Sequence, residues 1–105
     1  MKVEWTERAR ERLIAIREYI EEDSLMEALR VVDRLVLSSK TIGISPNKGR
    51  KTPEYQRNDI REKLERPYRL IYKIKSDQVD VLTVMHYRQL LPKDLDELLA
   101  PCKNQ

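Results

Sequence analysis

At 105 residues the chain suits one domain, and its 37% charged residues are interleaved with periodic apolar positions, a pattern of a solvated surface over a core rather than of disorder. A single cysteine, Cys102, and a single histidine exclude an intrachain disulfide and a credible zinc site. The net charge of +3 is uneven: residues 1–45 sum to −1, residues 46–91 to +5 and residues 92–105 to −1, so an anionic partner is expected on the middle segment.

Lys2 to Trp5 predicts a short opening strand, and this charged start predicts no secretory leader. Thr6 is a candidate helix cap. Ala9, Leu13, Ile16 and Ile20 then recur at helical spacing, predicting an amphipathic helix over Glu7 to Glu22. Ser24, with Glu27 three residues later, reads as a capping box for a second helix, whose apolar positions are Leu25, Ala28, Val32, Leu35 and Val36. Gly43 is its expected stop. The short join at Asp23-Ser24 predicts an antiparallel helical hairpin.

Ile44 to Asn58, with Pro46, Gly49 and Pro53, reads as a long loop carrying Lys48, Arg50 and Lys51. Three strands are expected next: Asp59–Glu65, Tyr68–Lys75 and Gln78–Tyr87, the last apolar on both sides and therefore central. Pro92 opens a short helix through Leu95, Leu98 and Leu99. No apolar run reaches the ~18 residues that span a bilayer, so a soluble, cytoplasmic chain with no membrane partner is expected.

The order β-α-α-β-β-β predicts an α+β domain over residues 1–99, with 100–105 as a tail. Its helical hairpin packs on a three-stranded antiparallel meander, the partner of matching apolar area. With Ile60, Leu64, Tyr68, Leu70, Tyr72 and Met85 turned to the helices, strand alternation puts Arg61, Lys63, Arg69, Lys73, Lys75, His86 and Arg88 together on the opposite face. Two readings of that face stand side by side. It is either the wetted side that an antiparallel sheet needs, or an anion-binding groove in which arginines favour bidentate contacts.

His86 has two readings as well. It is either a histidine packed at a strand end, or the acid or base of an RNA-cleaving site in which Arg61 and Arg69 hold the phosphate and Tyr87 positions the substrate. The run Asn47-Lys48-Gly49-Arg50-Lys51 lacks P-loop spacing, so nucleotide hydrolysis is not indicated. No cofactor and no metal are expected.

The series Val3-Glu4-Trp5-Thr6, two helices, Pro46…Gly49-Arg50, Ile60-Arg61, Tyr68-Arg69-Leu70-Ile71-Tyr72 and Val81-Leu82-Thr83-Val84-Met85-His86-Tyr87-Arg88 resembles the ParE/RelE toxin superfamily over residues 2–92. That resemblance implies the toxin of a type II toxin–antitoxin pair, inhibiting growth until a cognate antitoxin lays an acidic C-terminal segment across it. Promoter DNA would be bound only through the antitoxin. The long hairpin and the ending His86-x-Arg88 look more like the ParE branch, which poisons DNA gyrase and is not a nuclease. His86-Tyr87, with Arg61 and Arg69, is instead similar to YoeB-like nucleases, which cut mRNA on the ribosome. Against that branch, Lys63 and the loop lysines are the only lysines at hand, and the chain continues past Tyr87.

Overall fold

The two amphipathic helices and the strands that follow them need one another to bury their apolar sides, and the fold is the arrangement that does so. The computed structural model describes residues 1–100; the expected tail beyond Ala100, with Cys102, lies outside the described residues. In chain order the elements are β1 (Lys2–Trp5), α1 (Glu7–Glu21), α2 (Leu25–Ile44), β2 (Arg50–Lys51), β3 (Ile60–Glu65), β4 (Tyr68–Ile74), β5 (Gln78–His86) and α3 (Leu95–Leu99). They form the expected α+β fold. The meander is the centre of a five-stranded mixed sheet in the order β1-β5-β4-β3-β2, with β1 parallel to β5 and the other pairs antiparallel. As expected, β5 is central, and its apolar residues on both sides follow from that.

Both helix starts behave as their sequences predict. The Thr6 hydroxyl accepts from the Ala9 amide at 3.1 Å, and the Ser24 hydroxyl accepts from the Glu27 amide at 3.1 Å. Gly43 does not stop α2, which continues to Ile44. The residue is small for another reason: a Cβ there would strike the Met1 carbonyl oxygen and come within 2.8 Å of Val3. The same crossing lets the terminal ammonium of Met1 donate to the Gly43 carbonyl at 2.9 Å. Part of the expected long loop after α2 is regular: a 3-10 turn at Pro46–Lys48 leads into β2, which adds an edge to the sheet, and residues 52–58 remain turn and loop.

The sheet carries an apolar cluster on each face. Ala9, Val31, Leu35 and Ile42 of the hairpin pack on Leu70, Tyr72, Val79, Val81 and Val84, with Trp5, Leu13, Ile16 and Tyr68 at the margin. Ile60, Ile71, Leu82 and Met85 form a second cluster with Leu91 and Leu98, covered by Tyr55, Leu95 and Leu99. The expectation that Ile60, Leu64 and Met85 turn to the helices is therefore corrected. Ile60 and Met85 lie under α3, and Leu64 is 41% exposed.

Registration explains the correction. Arg61 pairs with Tyr72, Lys63 with Leu70 and Glu65 with Tyr68, and residues directly opposite across two strands share a face. Along β5 the pairing passes from Tyr72↔Val81 to Ile71↔Thr83, which leaves Leu82 as an extra residue. Such a bulge reverses the alternation beyond it. Val79 and Val81 face the hairpin before the bulge; Val84 faces it afterwards.

Candidate functional site

The seven-residue face expected from alternation does not form. Arg61, Lys63 and His86 lie on the hairpin side, and Arg69 and Lys73 lie on the other, since Arg61 is opposite Tyr72 and His86 is opposite Tyr68, whereas Lys73 is opposite Ile60. Of the four residues considered for RNA cleavage, Arg61, Arg69, His86 and Tyr87, no common site results.

Arg69 is the clearest correction. Its side chain is only 6% exposed and donates to Glu54 Oε2 at 2.6 Å and to Glu62 Oε1 at 2.8 Å. It also donates to the Gln89 carbonyl at 2.9 Å, and the Glu54 carboxylate accepts from the Leu91 amide at 3.3 Å. Glu62, fully buried, takes a further 2.6 Å contact from Arg50. Burial opposes the charge on Arg69, but the hydrogen bonds it donates to Glu54 and Glu62 outweigh that and raise its pKa. The Arg69 hydrogen bond in turn holds the Glu54 carboxyl below its usual range. This guanidinium ties the 50–54 segment, β3, β4 and the chain after β5 together, and it has no room for a phosphate.

Arg61 is spent on carbonyl oxygens: its guanidinium donates to Gly49 at 2.8 Å, to Asn58 at 2.9 Å and to Asn47 at 3.3 Å. It fixes the turn before β2. Lys75 sits on Asp80 at 2.6 Å. The His86 Nδ1 accepts from the Arg88 amide at 3.2 Å, and the His86 ring stacks on Tyr87 with centroids 4.9 Å apart. Arg88 lies over Tyr87, 5.5 Å from its centroid, at the far end of the sheet from β2.

What the fold does assemble is a cleft of about 450 Å³ between the end of α2, the turn at Ser45–Gly49 and β3. Ile42, Ile44 and Tyr72 supply apolar walls, and Thr41, Ser45, Lys48 and Lys63 supply the polar rim. The Lys63 ammonium reaches the Ser38 carbonyl at 3.3 Å and the Thr41 hydroxyl. Tyr72 closes the floor: its hydroxyl donates to the Pro46 carbonyl at 2.5 Å, and burial raises its pKa. Gly49 is required here, because a Cβ would meet the Tyr72 hydroxyl and sit 2.7 Å from the Glu62 carbonyl oxygen.

Beside the cleft, β2 is a free sheet edge with Arg50 and Lys51 exposed. Leu37 and Ile44 extend the apolar surface along α2, 61% and 81% exposed. Lys48 and Lys51 make no ion pair among the described residues. Of the cations expected to bind a partner, then, Lys48, Lys51 and Lys63 share the hairpin side, Arg50 turns to Glu62 on the other face, Arg61 and Arg69 are structural, and Lys73, Lys75, His86 and Arg88 lie elsewhere. Sequence reasoning missed the contribution of Leu37, Thr41 and Ile44. Their spacing of four and three residues marks a helical face distinct from the buried stripe, which is the signal that could have found them.

An exposed apolar helix face, a basic rim and an open strand edge can receive an amphipathic, acidic segment. Such a segment would bury its apolar side chains on α2 and neutralise the rim. Among the described residues no helix is long and apolar enough to cross a membrane, and no three potential metal ligands cluster.

Comparison with known proteins gives the family and the fold. A family model described as the ParE toxin of the type II toxin–antitoxin system parDE matches residues 3–91. The Y4kP protein of Sinorhizobium fredii (strain NBRC 101917 / NGR234), which carries a toxin designation, is 37% identical over 99 residues, covering 90% of this chain and 96% of its own length. A solved structure from the chromosomal ParDE toxin–antitoxin system of P. aeruginosa superposes with a TM-score of 0.69 at 26% identity, over 82% of this chain and 95% of that one.

Proposed function

This chain belongs to the ParE toxin family of type II toxin–antitoxin systems, and from that premise we propose that it acts by binding, as an inhibitor of DNA gyrase in the cytoplasm, without catalysis of its own. The observation that carries the choice of binding over RNA cleavage is the commitment of Arg69 to two carboxylates on one sheet face while Arg61 and His86 lie on the other. A phosphate-cleaving site needs a base, an acid and free cations converging on one phosphate. These residues do not converge.

Neutralisation follows the same reading. An acidic C-terminal segment of a cognate antitoxin docks its apolar side chains against Leu37 and Ile44. Its carboxylates meet Lys48, Lys51 and Lys63. Promoter DNA is engaged by the antitoxin and not by this chain.

The purified chain is expected to abolish gyrase supercoiling when in excess, and the cognate antitoxin is expected to restore it. Unchanged supercoiling at saturating chain rejects gyrase as the target. Charge reversal by Lys48→Glu with Lys51→Glu should weaken antitoxin binding at least tenfold in a titration while the fold persists; unaltered affinity places the antitoxin elsewhere. New codon-phased mRNA 5′ ends on induction, lost in His86→Ala, would revive RNA cleavage.

A further inference from the structure

The solvent side of the helical hairpin is divided lengthwise by charge. On α1, Glu7, Glu11 and Glu18, with Glu22 at the cap, fall within about 60° of one another at about 100° per residue, on the side away from the sheet. All four are exposed, and none makes an ion pair among the described residues. The arginines of the helix, Arg8, Arg10, Arg12 and Arg17, lie about 70° or more from this acidic line. Three of them are engaged: Arg8 donates to the Glu97 carbonyl at 2.9 Å, Arg10 donates to the Trp5 carbonyl at 2.6 Å, and Arg17 meets Glu21 at 3.9 Å.

On α2 the solvent side is of the opposite kind. It is apolar at Met26, Leu29 and Leu37, which are 70%, 49% and 61% exposed, and Arg30 and Lys40 stand among them with Asp33 as the one acid. Lys40 makes no ion pair among the described residues. Arg30 has Glu27 at 3.3 Å, an exposed contact that holds it weakly. One helix therefore offers carboxylates, and its neighbour offers apolar side chains between two cations.

The two helices are antiparallel about the join at Asp23-Ser24, so residues equally far from it stand at the same level. Lys40 is level with Glu7, Asp33 is level with Ile14, and Arg30 falls within a residue of Glu18. A two-fold axis running along the hairpin lays α1 of one copy on α2 of the other and keeps these levels. Each Glu7 then meets Lys40 of the second copy, and each Glu18 meets Arg30. Asp33 meets the half-exposed Ile14, about one turn from Glu11 and from Glu18. A two-fold axis across the hairpin would instead set α1 on α1, carboxylate against carboxylate, so the charges select the first arrangement.

The area suits such a pairing. The twenty residues of α2 are about 30 Å long, and two helices side by side are about 20 Å wide, an outline of the order of the ~800 Å² that each partner of a standard interface contributes. We infer that the chain pairs with a second copy of itself through the outer face of the α1–α2 hairpin, in a two-fold contact of four helices. The contact goes beyond gyrase inhibition and antitoxin docking. Leu37 is common to this face and to the antitoxin surface, so the variants that test the pairing are placed elsewhere.

The test is sedimentation velocity of the intact chain, without antitoxin, over a rising concentration series. A monomer–dimer equilibrium is expected. Leu29→Glu, at an exposed position, should leave a monomer whose thermal unfolding matches that of the parent chain. Lys40→Glu and Glu7→Lys should each weaken the dimer roughly tenfold, because the two-fold axis turns one substitution into two like-charge contacts. The double variant, with the charges exchanged, should recover most of that loss, as no effect on folding alone would. The inference is overturned if the parent chain sediments as a monomer throughout, if Leu29→Glu still dimerises, or if the double variant is no tighter than the single ones. A monomer in which Met26 is shielded from oxidation only when the cognate antitoxin is added assigns this face to the antitoxin and overturns the pairing as well.

Discussion

The two faces of the sheet draw on similar residues and end with opposite chemistry. On the hairpin face the core is apolar, and the cations Arg61 and Lys63 stand at its margin, where they donate to carbonyl and hydroxyl oxygens. On the other face a cation sits inside: Arg69 lies at the edge of the second apolar cluster, matched by Glu54 and Glu62 and reached by the chain after β5. A charge whose partners are neutral carbonyls keeps its field and can still attract an anion. A buried charge whose partners are carboxylates has become part of the framework.

The widest test of that contrast is to remove each arginine. Arg69→Met leaves Glu54 without its cation and the buried Glu62 with Arg50 alone, and should cost about 3–5 kcal/mol in urea unfolding. Arg61→Met loses only neutral acceptors that water can replace and should cost about 1 kcal/mol. Equal losses would break the comparison.

Acid titration sharpens it next. Because the folded-state pKa of Glu54 is lowered from its ordinary value of 4.5, the Arg69 contact contributes its full stability above that value. The contribution is lost as pH falls below 4.5 through the lower folded value. Glu54→Gln should cost about 2 kcal/mol at neutral pH and flatten the acid limb of the stability curve. Asp59 and Asp80, also lowered, retain the remainder of that slope. An unchanged limb in Glu54→Gln would show that the network is not what acid breaks.

The smallest effect concerns the hairpin side. Tyr72→Phe removes one hydrogen bond to the Pro46 carbonyl, and a loss of about 1 kcal/mol is expected by the same unfolding measurement. A larger loss would mean that the floor of the cleft is as tightly built as the Arg69 network.

Much of this molecule could be read along the chain. Thr6 and Ser24 cap the helices as their hydroxyls predict, the hairpin spacing holds, and the apolar density of β5 marks its central place. Local hydrogen bonding and the helical period suffice for these, because each is settled within a few residues. The short edge β2 was not legible, since Arg50-Lys51 has no strand pattern and pairs only because β3 lies beside it. Glu54 was equally silent. Nothing within its own segment says that a guanidinium fifteen residues later will find it.

Patterns along the chain were enough for the three helices, the four longer strands, their order, the α+β class and the concentration of positive charge between residues 46 and 91. Which of those charges share a surface was settled by packing alone. Side chains alternate with a period of two along a strand, so the pairing of Arg61 with Tyr72 and the extra residue at Leu82 each send neighbouring charges to opposite faces. A periodicity gives relative orientation within one strand; the register between strands, and the bulge that resets it, are fixed by packing.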